Sequence, residues 1–357
     1  MCEAREAAPC DHGLVRRPLA FLALGTVVLG PLAAAALLGP LAAVVLAHGE
    51  EALPAPTVGA FLFGWSFDPL VWLPVIGAAL LYLVAVRRVD AAHPASPVPV
   101  RHVGAFLGGL AAILVALQSG IERYDTVLFS VHMVQHILLI LVAAPLIALG
   151  APITLLLRAA RPPLRARLIL PILHSRLVRV LSFPVVAWSA FAGLMWASHF
   201  SPLFDLALED PLVHQAEHVL FMAAGLLFWW PAVGLDPSPW RMTHPVRVLY
   251  VFLQMPQGTF LSLAILSASA PLYPHYATLS LPWLPDALAD QGVAGGIMWL
   301  VGDLVFLAAI LAIIAGWVRR EEHETARADA RADAARATIR EREALLAERL
   351  AEERGAE

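Results

Sequence analysis

Apolar residues collect into eight runs along this chain, near 19–47, 69–89, 103–120, 127–149, 180–200, 212–233, 246–268 and 293–317. Several of these reach the roughly 20 residues with which an α-helix crosses a hydrocarbon core of about 30 Å. The pattern predicts an all-α, polytopic transmembrane bundle of seven core helices plus one N-terminal apolar helix. It divides into an N-terminal segment with the first apolar helix (1–50), a seven-helix membrane domain (60–318) and a charged helical tail (319–357).

The polar positions between the runs orient them. Loops 48–68, 121–126, 201–211 and 269–292 contain one arginine between them, Arg123. The opposite segments, counted with the arginines at the run ends, hold the rest. Arginine marks the cytoplasmic side, so both termini are expected there when all eight runs are in the membrane. Arg16-Arg17 before a run ending Val45-Leu46-Ala47 also fits a signal sequence cleaved before His48. That run exceeds the usual apolar region of about 7–15 residues and contains Pro31 and Pro40, which favours an uncleaved helix. The tail from Arg319 to Glu357 is rich in Arg, Glu and Ala, with Leu345, Leu346 and Leu350 near its end. Helix formers and opposite charges at i, i+4 read as a solvated cytoplasmic extension of the last helix.

Composition supports this class: 59% of the 357 residues are hydrophobic and 15% charged, against about 25% charged in a soluble domain. The formal net charge of −4 is segregated along the chain; the expected surroundings are a lipid bilayer, with no nucleic-acid partner. All 24 basic residues are arginine. The only cysteines, Cys2 and Cys10, precede the first run and exclude a disulfide framework or a thiolate metal site in the body of the protein.

Against this apolar background stand two triplets, His132-Met133-Val134-Gln135-His136 and His214-Gln215-Ala216-Glu217-His218. Each places two imidazoles and a third polar group on one helix face. Counted from the run starts, His132 and His136 lie roughly 8 and 14 Å deep and His214 and His218 roughly 3 and 9 Å. His199 ends the 180–200 run at the same outer surface, so five imidazoles converge on the outer half of the bilayer. His275 falls in an outer loop. His93, His102, His174 and His244 read as ordinary residues of the Arg-rich loops. Buried histidines can staple helices by hydrogen bonding, but two i, i+4 pairs with His199 at one depth favour a ligand site. Glu217 points the same way, because an unpaired intramembrane carboxylate costs about 3 kcal/mol. Gln135 and Glu217 are read as acceptors that hold imidazole tautomers, with Glu217 as a direct ligand in the alternative.

Imidazole suits Cu, Zn, Fe and Ni, while thioethers favour Cu(I). Met133, Met195, Met222, Met255 and Met298 lie in these helices, and each also reads as core filler. A histidine-rich site without cysteine, facing an oxidising compartment, favours copper, with zinc as the alternative. Further in, Asp303 lies about 15 Å into the last run, as a proton or cation handle or a protonated acid bonded to a polar neighbour. Together with Met255 and Met298 it could line a pathway. Gln254 and Gln257 flank Pro256, which frees a backbone carbonyl and kinks its helix. Asp290 and Gln291 open the last run, and Asp290 reads as an N-cap in preference to a ligand.

The stretch from Phe129 to His136, leading into Ala144-Pro145-Leu146 and Gly150-Ala151-Pro152, resembles the multispanning assembly factors of caa3-type cytochrome c oxidase, the CtaG family. So do Ser198-His199-Phe200 before Leu203-Phe204-Asp205, His214 to His218 running into Phe228-Trp229-Trp230-Pro231, and Asp290-Gln291 followed by Gly295-Gly296 and Met298-Trp299. The resemblance covers roughly residues 60 to 318. Trp196 and His199 are separated here, where an adjacent aromatic–His pair is expected. The resemblance implies a non-enzymatic protein of the bacterial plasma membrane that matures a haem–copper oxidase, with oxidase subunits as partners and copper supplied on the outer side. Copper transport or resistance is the rival reading. His214 to His218 also fits the zinc-protease pattern H-x-x-E-H, with Glu217 as general base. Haem held by two histidines fits the doubled i, i+4 pairs poorly.

Overall fold

The structure is a computed structural model that describes residues 53–355. The 19–47 run, its possible cleavage before His48, and Cys2 and Cys10 lie outside the described residues. Those described form helices and no strands. We label the helices that build the bundle α1 (Pro69–Ala92), α2 (Val100–Gln118), α3 (129–149), α4 (Pro184–His199), α5 (Leu203–Glu209), α6 (Pro211–Val233), α7 (244–266) and α8 (Ala287–Gly355). Among the described residues, α1, α2, α3, α6, α7 and α8 are the six helices long and apolar enough to cross a membrane. The 180–200 run yields the 16-residue α4, about 24 Å long, because Ser182 ends the preceding short helix Arg176–Leu181 and Pro184 starts a new one.

Helix starts are set by acids and prolines. Asp68 accepts from Leu70 N at 2.8 Å before Pro69, and Asp210 accepts from Leu212 N at 2.8 Å before Pro211. An N-cap acceptor followed by proline satisfies one orphan donor and removes another. The last helix is capped by Asp286, whose carboxylate accepts from Ala289 N at 3.1 Å, and not by Asp290. One turn inside α8, Asp290 reaches across to α3, where it accepts from Ser130 N at 3.2 Å and from the Ser130 hydroxyl. It therefore caps a neighbouring helix.

Helix α3 is not a uniform α-helix. After Phe129–Ile137 it widens into a π-helical turn, Leu138–Ala143, before Ala144–Leu149. Pro145 has no N–H to give the turn below it. The Ala144 N–H donates to Leu139 O in place of Ile140 O, and the freed Ile140 carbonyl accepts from Trp229 Nε1 of α6 at 2.8 Å. Gly225 sits beside this contact; a Cβ there would lie 3.0 Å from Ala144 Cβ. A small residue and a cross-helix hydrogen bond bring α3 and α6 together, as membrane helix packing requires.

Helix α7 is broken at Leu253, between His244–Phe252 and Gln254–Leu266, three residues before Pro256, which has no N–H for the Phe252 carbonyl four residues back. The loop before α8 folds over the outer ends of the bundle. Tyr273 OH donates to His199 O at 3.1 Å and Tyr276 OH to Asp125 O at 2.8 Å. His275 Nε2 lies 2.9 Å from Thr126 O, a backbone contact that leaves it outside the histidine cluster.

Candidate metal centre

His132 and His136 stand three and seven residues after the first residue of α3, and His214 and His218 stand three and seven after the first of α6. At 1.5 Å per residue both pairs sit about 4.5 and 10.5 Å down their helices. The difference in depth suggested by the run starts disappears, because the α3 helix begins at Phe129 and α6 at Pro211. The upper rings of the two pairs stack, His132 on His214 with centroids 5.4 Å apart, and the lower rings, His136 and His218, lie 6.1 Å apart. Within each pair the centroids are 4.2 and 4.3 Å apart. All four side chains are buried.

Two carboxylates complete the cluster. Glu217 Oε2 is 3.8 Å from both His132 Nε2 and His136 Nε2. Asp125 Oδ2 is 3.8 Å from His214 Nε2. The donor atoms fall into two groups, His132, His136 and Glu217, and Asp125, His214 and His218, each with its atoms within 4.8 Å of one another. Each group takes its histidines from one helix and its carboxylate from the other side of the α3–α6 contact. Burial pushes the Asp125 carboxyl up to about 7, so its ionised form needs a neighbouring positive charge.

Gln135, between the two histidines of α3, supports the cluster. Its amide nitrogen donates to Glu122 Oε2 at 2.7 Å and to Ala116 O at 3.2 Å, leaving its oxygen to meet His218 Nε2 at 3.0 Å. With both amide protons engaged, Oε1 accepts, so His218 carries its proton on Nε2 and presents Nδ1. Orienting partners of this kind accompany most metal-binding histidines.

Several buried polar atoms in this small volume have no hydrogen-bond partner: both nitrogens of His132 and of His136, His214 Nε2, Glu217 Oε2 and both oxygens of Asp125. Leaving such atoms unpaired costs about 1–3 kcal/mol each. Imidazole nitrogens and carboxylate oxygens are the donors that a borderline divalent or copper ion takes. The residues present therefore fit a metal ion, and its identity is not fixed by them.

The other residues singled out from sequence separate from this cluster. His199 is buried, with Nδ1 2.8 Å from Met195 O and 3.1 Å from Ser198 Oγ, and Nε2 unpartnered. It belongs to neither donor group but shares with His136 a small cavity that is also lined by Met195, Met298, Gln254 and Asp303. Asp303 accepts from Thr259 Oγ1 at 3.2 Å, the polar neighbour expected of a membrane acid. Met255 packs against the hydrophobic core and does not line that cavity. Sequence reasoning missed Asp125 and Glu122. The signal was two acids in the six-residue connection 121–126, shortly before a helix that carries His132 and His136 in its first turns.

The family described as cytochrome c oxidase caa3 assembly factor (Caa3_CtaG) matches residues 80–320. Uncharacterised proteins of Mycobacterium bovis and Mycobacterium tuberculosis are each 32% identical to the chain over 295 residues, covering 80% of it and 44% of their own length. One from Mycobacterium leprae is 30% identical over 292 residues, covering 80% and 44%. The chain thus spans less than half the length of these curated relatives. No solved structure matches it. With a family match through most of the membrane helices, and the histidine pairs inside it, the chain belongs to the Caa3_CtaG family of cytochrome c oxidase caa3 assembly factors.

Proposed function

We propose that this protein is a membrane-integral assembly factor for a haem–copper cytochrome c oxidase and that it handles copper at the α3–α6 histidine cluster. The observation that carries this reading is the set of unpartnered nitrogen and oxygen donors on two facing helices. The family name, which links these proteins to the caa3 oxidase, supports the oxidase as partner. Copper is the cargo: all-nitrogen and -oxygen coordination, without thiolate, lets an ion be taken up and handed on, because neutral imidazoles exchange and protonate. Zinc is the alternative ion.

In this reading His132, His136, His214 and His218 bind with Glu217 and Asp125, and Gln135 orients His218. His199, Met298, Asp303 and Asp290 shape the cavity and the helix ends around them, and Met255 packs the core. The arginine asymmetry supports a bacterial plasma-membrane protein with the cluster near the outer face and the C-terminus in the cytoplasm. Seven core spans follow if α4 crosses with the six longer helices. The 60–318 region then forms the membrane domain and 319–357 the cytoplasmic tail.

The protease reading loses its geometry here. In that mechanism Glu217 serves as base beside zinc on His214 and His218, whereas its free oxygen faces His132 and His136. One observation favours transport as the second reading: the cavity below His136 continues to Gln254 and Asp303. Copper uptake into vesicles would be unaffected by Asp303→Asn if the ion is handed over on the outside, and reduced if it crosses.

Cells carrying His132→Ala or His218→Ala are expected to keep the protein in the membrane and to lose haem–copper oxidase activity, with partial rescue by added copper. Normal oxidase activity in the double variant would reduce the histidines to helix glue.

A further inference from the structure

We infer that the cluster is built for two metal ions, one in each carboxylate–histidine triad. This rests on the reading of the cluster as a metal centre and adds its stoichiometry. The donor atoms that lie within 4.8 Å of one another form two groups, and each takes its histidines from a single helix: His132 and His136 with Glu217, and His214 and His218 with Asp125. Each triad is already nearly closed by itself. Ligand–metal bonds of about 2.0–2.1 Å in a tetrahedral site put donors about 3.4 Å apart. The measured approaches of Glu217 Oε2 to His132 and His136, and of Asp125 Oδ2 to His214, are all 3.8 Å.

Charge is distributed to match. Each triad holds one carboxylate of its own, Glu217 in one and Asp125 in the other. Each triad also has unpartnered atoms of its own: both nitrogens of His132 and of His136 with Glu217 Oε2 in one, both oxygens of Asp125 with His214 Nε2 in the other. The crossed supply of ligands means that each ion ties α3 to α6. The first triad joins an α3 pair to Glu217 of α6, and the second joins an α6 pair to Asp125, immediately before α3. Two ions therefore act as two clamps across one helix contact.

The test is a metal count on the full-length protein in detergent, stripped with chelator, reloaded separately with zinc(II) and copper(II) salts, desalted and analysed by mass spectrometry of the elements. Two ions per chain are expected for at least one of the metals. Glu217→Gln and Asp125→Asn should each retain one, and the double variant none. The unaltered chain makes the test independent of how the variants fold. A plateau of one ion per chain overturns the two-ion centre and leaves a single metal site standing. No bound ion overturns both. Loss of both ions from a single variant that elutes and unfolds like the unaltered chain overturns the division into two triads.

Discussion

Gln135 does its work through both ends of its amide. The nitrogen is held by Glu122 and Ala116, and the oxygen thereby fixes the His218 proton on Nε2. Replacing it with leucine keeps the volume and removes the orientation. Gln135→Leu is expected to weaken metal retention by about 10- to 100-fold, as measured by competition with a chromophoric chelator. The residue scale also shows what the sequence could tell. The i, i+4 spacing made the two histidine pairs visible, because it acts within one helix. Asp125 and Glu122 lie in a connection, and their approach to His214 and Gln135 is a product of tertiary packing, which no local period reports. Asp290 was misjudged for the same reason: its partner, Ser130, is far away in the chain.

At the scale of elements, the decisive contact is α3 against α6. Apolar runs located the six helices long and apolar enough to cross a membrane among the described residues, whereas the 180–200 run, read as a seventh span, yields the shorter α4 because Pro184 restarts the backbone. They did not give the first residues of α3 and α6, which fix the common depth of the histidine pairs. Pro145 was a hint of an interruption, but only the structure shows that it becomes a π turn whose free Ile140 carbonyl is taken by Trp229. Trp229→Phe removes that donor and leaves a buried carbonyl unpaired, a loss of about 1–3 kcal/mol. Gly225→Leu overfills the contact at Ala144 and is expected to cost about 1–3 kcal/mol. Thermal unfolding in detergent checks both. Gly225→Leu should in addition lower metal retention, because it separates the two histidine pairs, whereas an equally destabilising change away from this contact should not.

For the whole molecule, the long α8 joins the bundle to the charged tail. Its 69 residues extend about 104 Å at 1.5 Å each, over three times the hydrocarbon thickness of about 30 Å. The charged half is exposed, with ion pairs Arg320–Glu324 and Asp333–Arg336 on its surface, each worth at most about 1 kcal/mol. A reporter fused after Glu357 is expected to be active in the cytoplasm; an extracellular signal would invert the proposed orientation and place the histidine cluster at the inner face.

The central claim is that copper sits among the histidines of α3 and α6. X-ray absorption at the copper edge of the loaded, full-length protein tests it most directly. The expected spectrum has a nitrogen and oxygen shell near about 2.0 Å, the multiple scattering of imidazole rings, and a loss of that scattering when His132, His136, His214 and His218 are all changed to Ala. A dominant sulfur shell near about 2.3 Å, or a spectrum unchanged in the variant, would contradict it.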